Sequence, residues 1–227
     1  KAIEIPFDVE YNLPASLAKT GAALTIVCNP NAPSGSLISV DELASLADDL
    51  KGKSVLLVDE AYVDFAPANC VGLVKKFDNV IILRSLSKGY SLAGLRFGYA
   101  IAQPSLIDGL MKVKDSYNVN AIAIAAAAAA INDQDYFKTN AEKVKAERKR
   151  VTDELRKLSL TVPESFSNFV LAQCRNQNAE EVYNKLVQRN IYVRYFNLPG
   201  IDDKLRITIG TSEQNDTLLK ALNEILK

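Results

Sequence analysis

Four consecutive apolar residues, Val80-Ile81-Ile82-Leu83, run straight into the polar stretch Arg84-Ser85-Leu86-Ser87-Lys88. An apolar run that short reads as a strand and not as a helix, and as one buried on both faces, as in a parallel sheet. Polar residues placed right after it sit at the carboxyl end of the strand, where open α/β sheets bind their ligands. Ser85, Ser87, Lys88 and, farther along the same stretch, Arg96 supply two hydroxyls, an ammonium and a guanidinium. Such a set suits a phosphate monoester, and an amine that must react with a carbonyl.

Two more strands of this kind lie upstream. Ala23 to Cys28 ends on a loop rich in Asn, Pro, Ser and Gly, and Ser54 to Val58 ends at Asp59. Between them Ser39 can cap a helix whose Asp41 and Glu42 suit its positive end, with Leu43, Leu46, Ala47 and Leu50 on one face. Phe97 to Ala102 adds a strand, Val71 to Lys76 a helix, Pro14 to Thr20 a helical turn, and the alternation of Ala2 to Phe7 a short strand. Strands alternating with helices predict an α/β fold with a mostly parallel, doubly wound sheet. Pro104 opens a helix at a first-turn position. The alanine-rich helix that follows, through Ile131, is expected to be buried between domains.

From Asp135 the texture changes. A charged helix, Tyr136 to Leu158, carries Lys143, Lys145, Glu147, Arg148, Lys149 and Arg150, which read as a solvated face. Strands follow at Leu160 to Val162, Phe169 to Gln173, Ile191 to Tyr195 and Leu205 to Ile209, with helices at Ala179 to Arg189 and Ser212 to Leu226. That run predicts a small C-terminal α+β domain over residues 134–227, beside a large domain over residues 1–133.

Composition narrows the chemistry. The 227 residues hold 27 basic and 27 acidic side chains, so no cationic excess is present to grip a nucleic acid. No apolar run approaches the roughly 20 residues of a membrane span. Three cysteines without CxxC spacing point to a reducing, cytoplasmic setting and no disulfide framework. Histidine is absent, which excludes Ser-His-Asp triads, Cys-His pairs and His-rich zinc sites, and no metal is expected. Acid–base work must fall to Lys, Tyr, Asp or Glu. The chain opens Lys1-Ala2-Ile3 without methionine and reads as a fragment or as an ordered part of a longer chain.

Four motifs, in order, carry a family resemblance: Asn29-Pro30-Asn31-Ala32-Pro33-Ser34-Gly35, Val58-Asp59-Glu60-Ala61-Tyr62, Ser85-Leu86-Ser87-Lys88 with Ala93-Gly94-Leu95-Arg96 ending eight residues past the lysine, and Leu205-Arg206-Ile207-Thr208-Ile209-Gly210-Thr211. Together they resemble the pyridoxal-phosphate (PLP) dependent aminotransferases of fold type I, histidinol-phosphate aminotransferases most of all. The N-terminal part of the family's sequence is absent. The resemblance implies a PLP-transferase fold with an incomplete large-domain sheet, and Lys88 as the amine that bonds the cofactor and later moves the substrate proton. It implies Asp59 against the pyridine nitrogen, Tyr62 on the phenolic oxygen, and Ser85, Ser87 and Arg96 around the phosphate. Where the family usually has an amide-bearing asparagine, this chain has Ala32; either the adjacent Asn31 takes over that contact or Tyr62 acts alone. Arg206 matches the substrate's anion-binding arginine, Arg194 its partner for a substrate phosphate, and Asn168 a position near the substrate carboxylate. Glu60 brings no chemical role.

The implied reaction moves an amino group between histidinol phosphate and 2-oxoglutarate, in a homodimer, with an amino-acid-like amine and a 2-oxo acid as the small-molecule partners. Aromatic-amino-acid aminotransferases and threonine-phosphate decarboxylase share these motifs. A fragment that keeps the fold without turnover, serving as a structural module, is the alternative from outside enzymology.

Overall fold

The computed structural model describes residues 1–8 and 10–227. Strands β1 (Leu24–Cys28), β2 (Val55–Asp59) and β3 (Val80–Ser85) lie side by side and parallel, and β4 (Gly98–Ala102) closes the sheet antiparallel to β3. Register brings the strand ends level: Cys28 pairs with Asp59, and Asp59 with Leu83. Helix α1 (Val40–Leu50) starts at the expected cap, with Ser39 accepting from the Glu42 amide and the Glu42 carboxylate accepting from the Ser39 amide. Its Leu43, Leu46, Ala47 and Leu50 are buried against Val27, Leu56, Val58, Val80 and Ile82 of the sheet. On the opposite side of β1, Leu24 and Ile26 stay exposed, the latter 61 %.

Helices α2 (Pro104–Val113), α3 (Ala121–Asn132) and α4 (Gln134–Lys157) lead to a second sheet, in which β7 (Lys204–Thr208) lies between β5 (Phe169–Gln173) and β6 (Arg194–Tyr195), all antiparallel. Helix α4 with α5 (Ala179–Val187) and α6 (Ser212–Ile225) covers one face of it, around Val170, Ala172, Leu205 and Ile207. Side chains alternate across a strand. Phe169, Leu171 and Arg206, which pairs with Leu171, therefore stand on the face without helices. That face meets the first sheet's loops: the Tyr62 ring sits edge-on to Phe169, with centroids 5.1 Å apart.

Several expectations need correction. Ala2 to Phe7 forms no strand; it runs beside the edge strand β1 without joining its ladder. Leu160 to Val162 shrinks to one bridge, Thr161 to Gln173, because Pro163 has no amide to extend it. Only Arg194 and Tyr195 remain of the strand expected from Ile191. Helix α3 is not buried: only Ala123 and Ala127 are covered, while Ile122 is 77 % exposed. Nor is the charged face of α4 wholly solvated. Arg148 reaches inward to the carbonyls of Ser167 (2.6 Å) and Phe65 (3.3 Å), joining the two sheets' loops. Glu147 holds Arg150 (2.8 Å) and Asn215 (2.8 Å), and those bonds bring its carboxyl down to about 2. Among the described residues no helix is long and apolar enough to cross a membrane.

Candidate active site

The sequence-predicted residues divide between two shelves that face each other. The first is the carboxyl edge of β1–β3. Asp59 ends β2, and its carboxylate accepts the Ala61 amide (2.9 Å), which turns the chain back toward Tyr62. Lys88 follows β3 in the loop that closes the β3–β4 hairpin, whose ends are bonded by Leu86 N–H to the Phe97 carbonyl (3.1 Å). The lysine is half-buried and makes no ion pair among the described residues; its Nζ lies over the Tyr62 ring, 5.4 Å from the centroid. The Ser85 hydroxyl accepts the Ser87 amide (3.0 Å), so these two predicted partners come together. Arg96 lies in the same hairpin loop, but it adopts a left-handed backbone (φ 55°) and donates to the carbonyl of Ala93 (3.2 Å), not to either serine. Its side chain instead lines a cleft of about 600 Å³ with Asn118, Asn120 and Ile122.

The second shelf is the helix-free face of the antiparallel sheet. Arg194 and Arg206 are direct cross-strand partners. The Arg206 guanidinium sits 4.9 Å from the Phe169 ring and 5.6 Å from Phe196, and Arg194 sits 5.2 Å from the other contact of that cluster, Phe196. The Nε of Arg206 is buried with no hydrogen-bond partner. A buried, unpaired donor on a cation is costly unless an anion completes it. Lys88, Tyr62, Phe169 and Arg206 thus make one continuous line of contacts from amine to guanidinium.

Two lesser predictions are placed as well. Asn31 accepts from the Ser34 hydroxyl (2.8 Å) through its side-chain carbonyl, leaving its amide hydrogens without a partner among the described residues. The loop that carries it is pinned at both ends: Asn29 bonds Ile38 through both polar atoms, and Gly35 accepts from Phe166 N–H (2.8 Å). Gly35 has a φ of +79°, and a Cβ there would come within 2.8 Å of the Ser165 Cβ, so only glycine fits. Asn168 accepts the Ile209 amide through its backbone carbonyl, next to Phe169.

The sequence reading passed over the part played by two acidic groups. Glu60, assigned no role, is buried with its carboxylate on Arg84, at 2.9 Å from both Nε and Nη2, and also accepts the Cys70 amide. Asp64 stands in the 3-10 turn Val63–Phe65, near Arg84, Glu60 and Lys145. Burial pushes its carboxyl up to about 6, against the smaller lowering by Arg84 and by the Gly89 amide. Because the folded value lies above the ordinary 3.8, this group's stabilising share is present below pH 3.8 and lost as pH rises through 6. Asp64→Asn is therefore expected to raise stability by about 1–2 kcal/mol at pH 8, after discounting for partial exposure, and to leave it nearly unchanged below pH 4. Urea melts across pH check this; an equal gain at both ends would contradict it. At Cys28, burial and then the Asp59 charge push the thiol up to about 11, which favours its protonated form.

Comparison with known proteins identifies the class. The profile of the family described as "Aminotransferase class I and II" matches residues 12–222, and the chain belongs to this family. A histidinol-phosphate aminotransferase from Trichormus variabilis is 49 % identical over 226 residues, covering 99 % of this chain and 64 % of the relative. One from Nostoc sp. is 50 % identical over 227 residues, with the same coverage of 99 % and 64 %. The crystal structure of histidinol-phosphate aminotransferase from Sinorhizobium meliloti, in complex with pyridoxal-5'-phosphate, superposes with a TM-score of 0.90 at 27 % identity, covering 99 % of this chain and 64 % of that one. The fold is that of the fold type I aminotransferases. The chain spans about 64 % of the length of the curated relatives it matches.

Proposed function

We propose that this chain carries the reactive centre of a PLP-dependent aminotransferase that exchanges an amino group between histidinol phosphate and 2-oxoglutarate. The observation that carries the reading is the contact line from Lys88 through Tyr62 and Phe169 to Arg206, with Arg194 beside it. A lone amine at one end and two guanidiniums at the other suit a substrate with an amino group and an anionic group. The unpartnered Nε of Arg206 fits an anionic ligand. Lys88, free of any counter-ion among the described residues, fits an aldehyde-bearing cofactor.

Asp59, Tyr62, Ser85, Ser87, Lys88 and Arg96 would hold PLP, with Asn31 near its phenolic edge. When bound, PLP supplies an electron sink for the charge left as the substrate's Cα proton departs. The protein's share is positional and protonic. Asp59, at the end of β2, would face the cofactor's ring nitrogen and favour a proton there. Tyr62 would offer a phenol beside the amine, and the Lys88 amine would take the proton from the substrate's Cα. Arg206 binds the anionic end common to both substrates, Arg194 the phosphate, and Asn168 lies close by. We divide the chain into units of residues 1–133 and 134–227, in line with its two hydrophobic cores, and place the site where they meet. A homodimer in the cytoplasm completes the proposal, in keeping with three unpaired thiols.

A substrate panel on the full-length protein tests the reading: glutamate should form from histidinol phosphate and 2-oxoglutarate. Release of carbon dioxide from threonine phosphate, or a preference for aromatic amino acids, would replace it. Arg206→Ala is expected to impair both half-reactions by about 1.5–3 kcal/mol, the worth of a charge-assisted contact. Arg194→Ala should weaken the phosphorylated substrate more than glutamate. Equal losses for the two substrates would reverse the roles given to these arginines.

A further inference from the structure

We propose that Asp64 is a positioning residue for Lys88: its side chain seats against Gly89 and keeps the lysine amine over the Tyr62 ring. The inference rests on Lys88 being the amine that bonds PLP. A Cβ built on Gly89 would stand 2.7 Å from the Asp64 Cγ and 2.8 Å from its Cβ, closer than real contacts allow. The whole carboxymethyl group is therefore pressed onto the backbone next to the lysine. Tyr62 and Asp64 belong to one turn, so one turn touches both the amine and the peptide that carries it.

The turn is rigid enough to act as a support. Val63 N–H bonds the Glu60 carbonyl (3.1 Å), Ala66 N–H bonds the Val63 carbonyl (2.9 Å), and the Val63 and Phe65 side chains are buried. Arg148 of α4 holds the Phe65 carbonyl. The lysine loop is closed by Ser91 N–H to the Lys88 carbonyl (3.2 Å), Leu92 N–H to the Leu86 carbonyl (3.1 Å), Ser87 N–H to the Ser85 hydroxyl (3.0 Å) and Arg96 to the Ala93 carbonyl (3.2 Å), with Tyr90 stacked on Phe137 of α4 (centroids 4.3 Å apart). Asp64 joins the two, with Arg84 of β3, Glu60 after β2 and Lys145 of α4 as the charged groups that face it.

The experiment follows the condensation of the Lys88 amine with the PLP aldehyde, in which a C=N bond replaces the C=O and one water leaves. Full-length protein is mixed rapidly with PLP and the absorbance change is timed, with borohydride reduction and peptide mapping to locate the bond. Affinity for pyridoxamine phosphate, which has no aldehyde and cannot bond a lysine, is measured beside it. Asp64→Ala should slow bond formation on the order of tenfold or more, the scale of a small misplacement of a reacting group, while pyridoxamine phosphate binds as before. Asp64→Asn, of the same shape and still an acceptor, should restore the rate. Gly89→Ala should be slow, and Gly89→Ala with Asp64→Gly no slower than Asp64→Gly alone, since only then are both the Cγ and the Cβ that a residue-89 side chain would meet removed. A wild-type rate in Asp64→Ala, additive losses in the double variant, or parallel loss of pyridoxamine phosphate binding would overturn the proposal. A wild-type protein that bonds PLP elsewhere than Lys88 would overturn the reading beneath it, a result distinct from all of these.

Discussion

Full-length protein with Lys88→Ala is expected to lose all borohydride-stable attachment of PLP and at least about 10³-fold in turnover. On the proposed function two tasks would depend on that one amine, the covalent link and the proton transfer, and general acid–base catalysis alone accounts for about 10²–10⁴-fold. No neighbour can replace it. The other polar groups on its loop are hydroxyls and a guanidinium, and Lys145, the lysine near Asp64, is paired with Glu142 at 2.9 Å. The check is reduction with borohydride, peptide mapping and a transamination assay on the same preparation. A full-strength adduct mapped to another lysine would remove Lys88 from the centre of the mechanism.

Glu60→Ala is expected to destabilise the protein by about 3 kcal/mol, the lower end of what breaking a buried pair costs. The lower end applies because the side chain of Arg84 is 23 % exposed, whereas that of Glu60 is fully covered. The variant leaves the Arg84 cation and the Cys70 amide without their acceptor. For a chain of this size such a loss lowers Tm by roughly 6–12 °C. Replacing both partners by methionine should recover much of it, since a buried ion pair adds little over well-packed apolar groups. Denaturant melts of the single and double variants decide. A loss under about 1 kcal/mol in Glu60→Ala would show that water already screens the pair.

That pair also marks where sequence reading runs out. Short apolar runs bounded by turn residues are local signals, and β1, β2, β3 and α1 fell close to where their residues pointed. Asp59 and Lys88 were legible because strand ends can be read without knowing which strands are neighbours. Glu60 and Arg84 lie 24 residues apart, and they meet only because Asp59 pairs with Leu83, a register that no period in either strand encodes. Arg148 was misread for a related reason. Its surroundings in the sequence are charged, but its partners are carbonyls from two distant loops. The alanine-rich α3 shows the limit of composition: small apolar side chains permit close packing, yet only two of them are covered.

The aromatic surroundings of Arg206 restrict the direction from which an anion can arrive. Phe169 and Phe196 both crowd the guanidinium, and the β6–β7 pairing sets Arg194 alongside. The Nε edge is itself covered and without a partner, while Arg206 as a whole is part-exposed, so an anion would have to approach the guanidinium past these rings. A flat carboxylate, or a phosphate on a slender methylene tether, would pass two such rings most readily. A branched or bulky group next to the anion would strike a ring first. If Arg206 receives the substrate's anion as proposed, substrate choice at this end of the site would be a matter of silhouette as much as of charge.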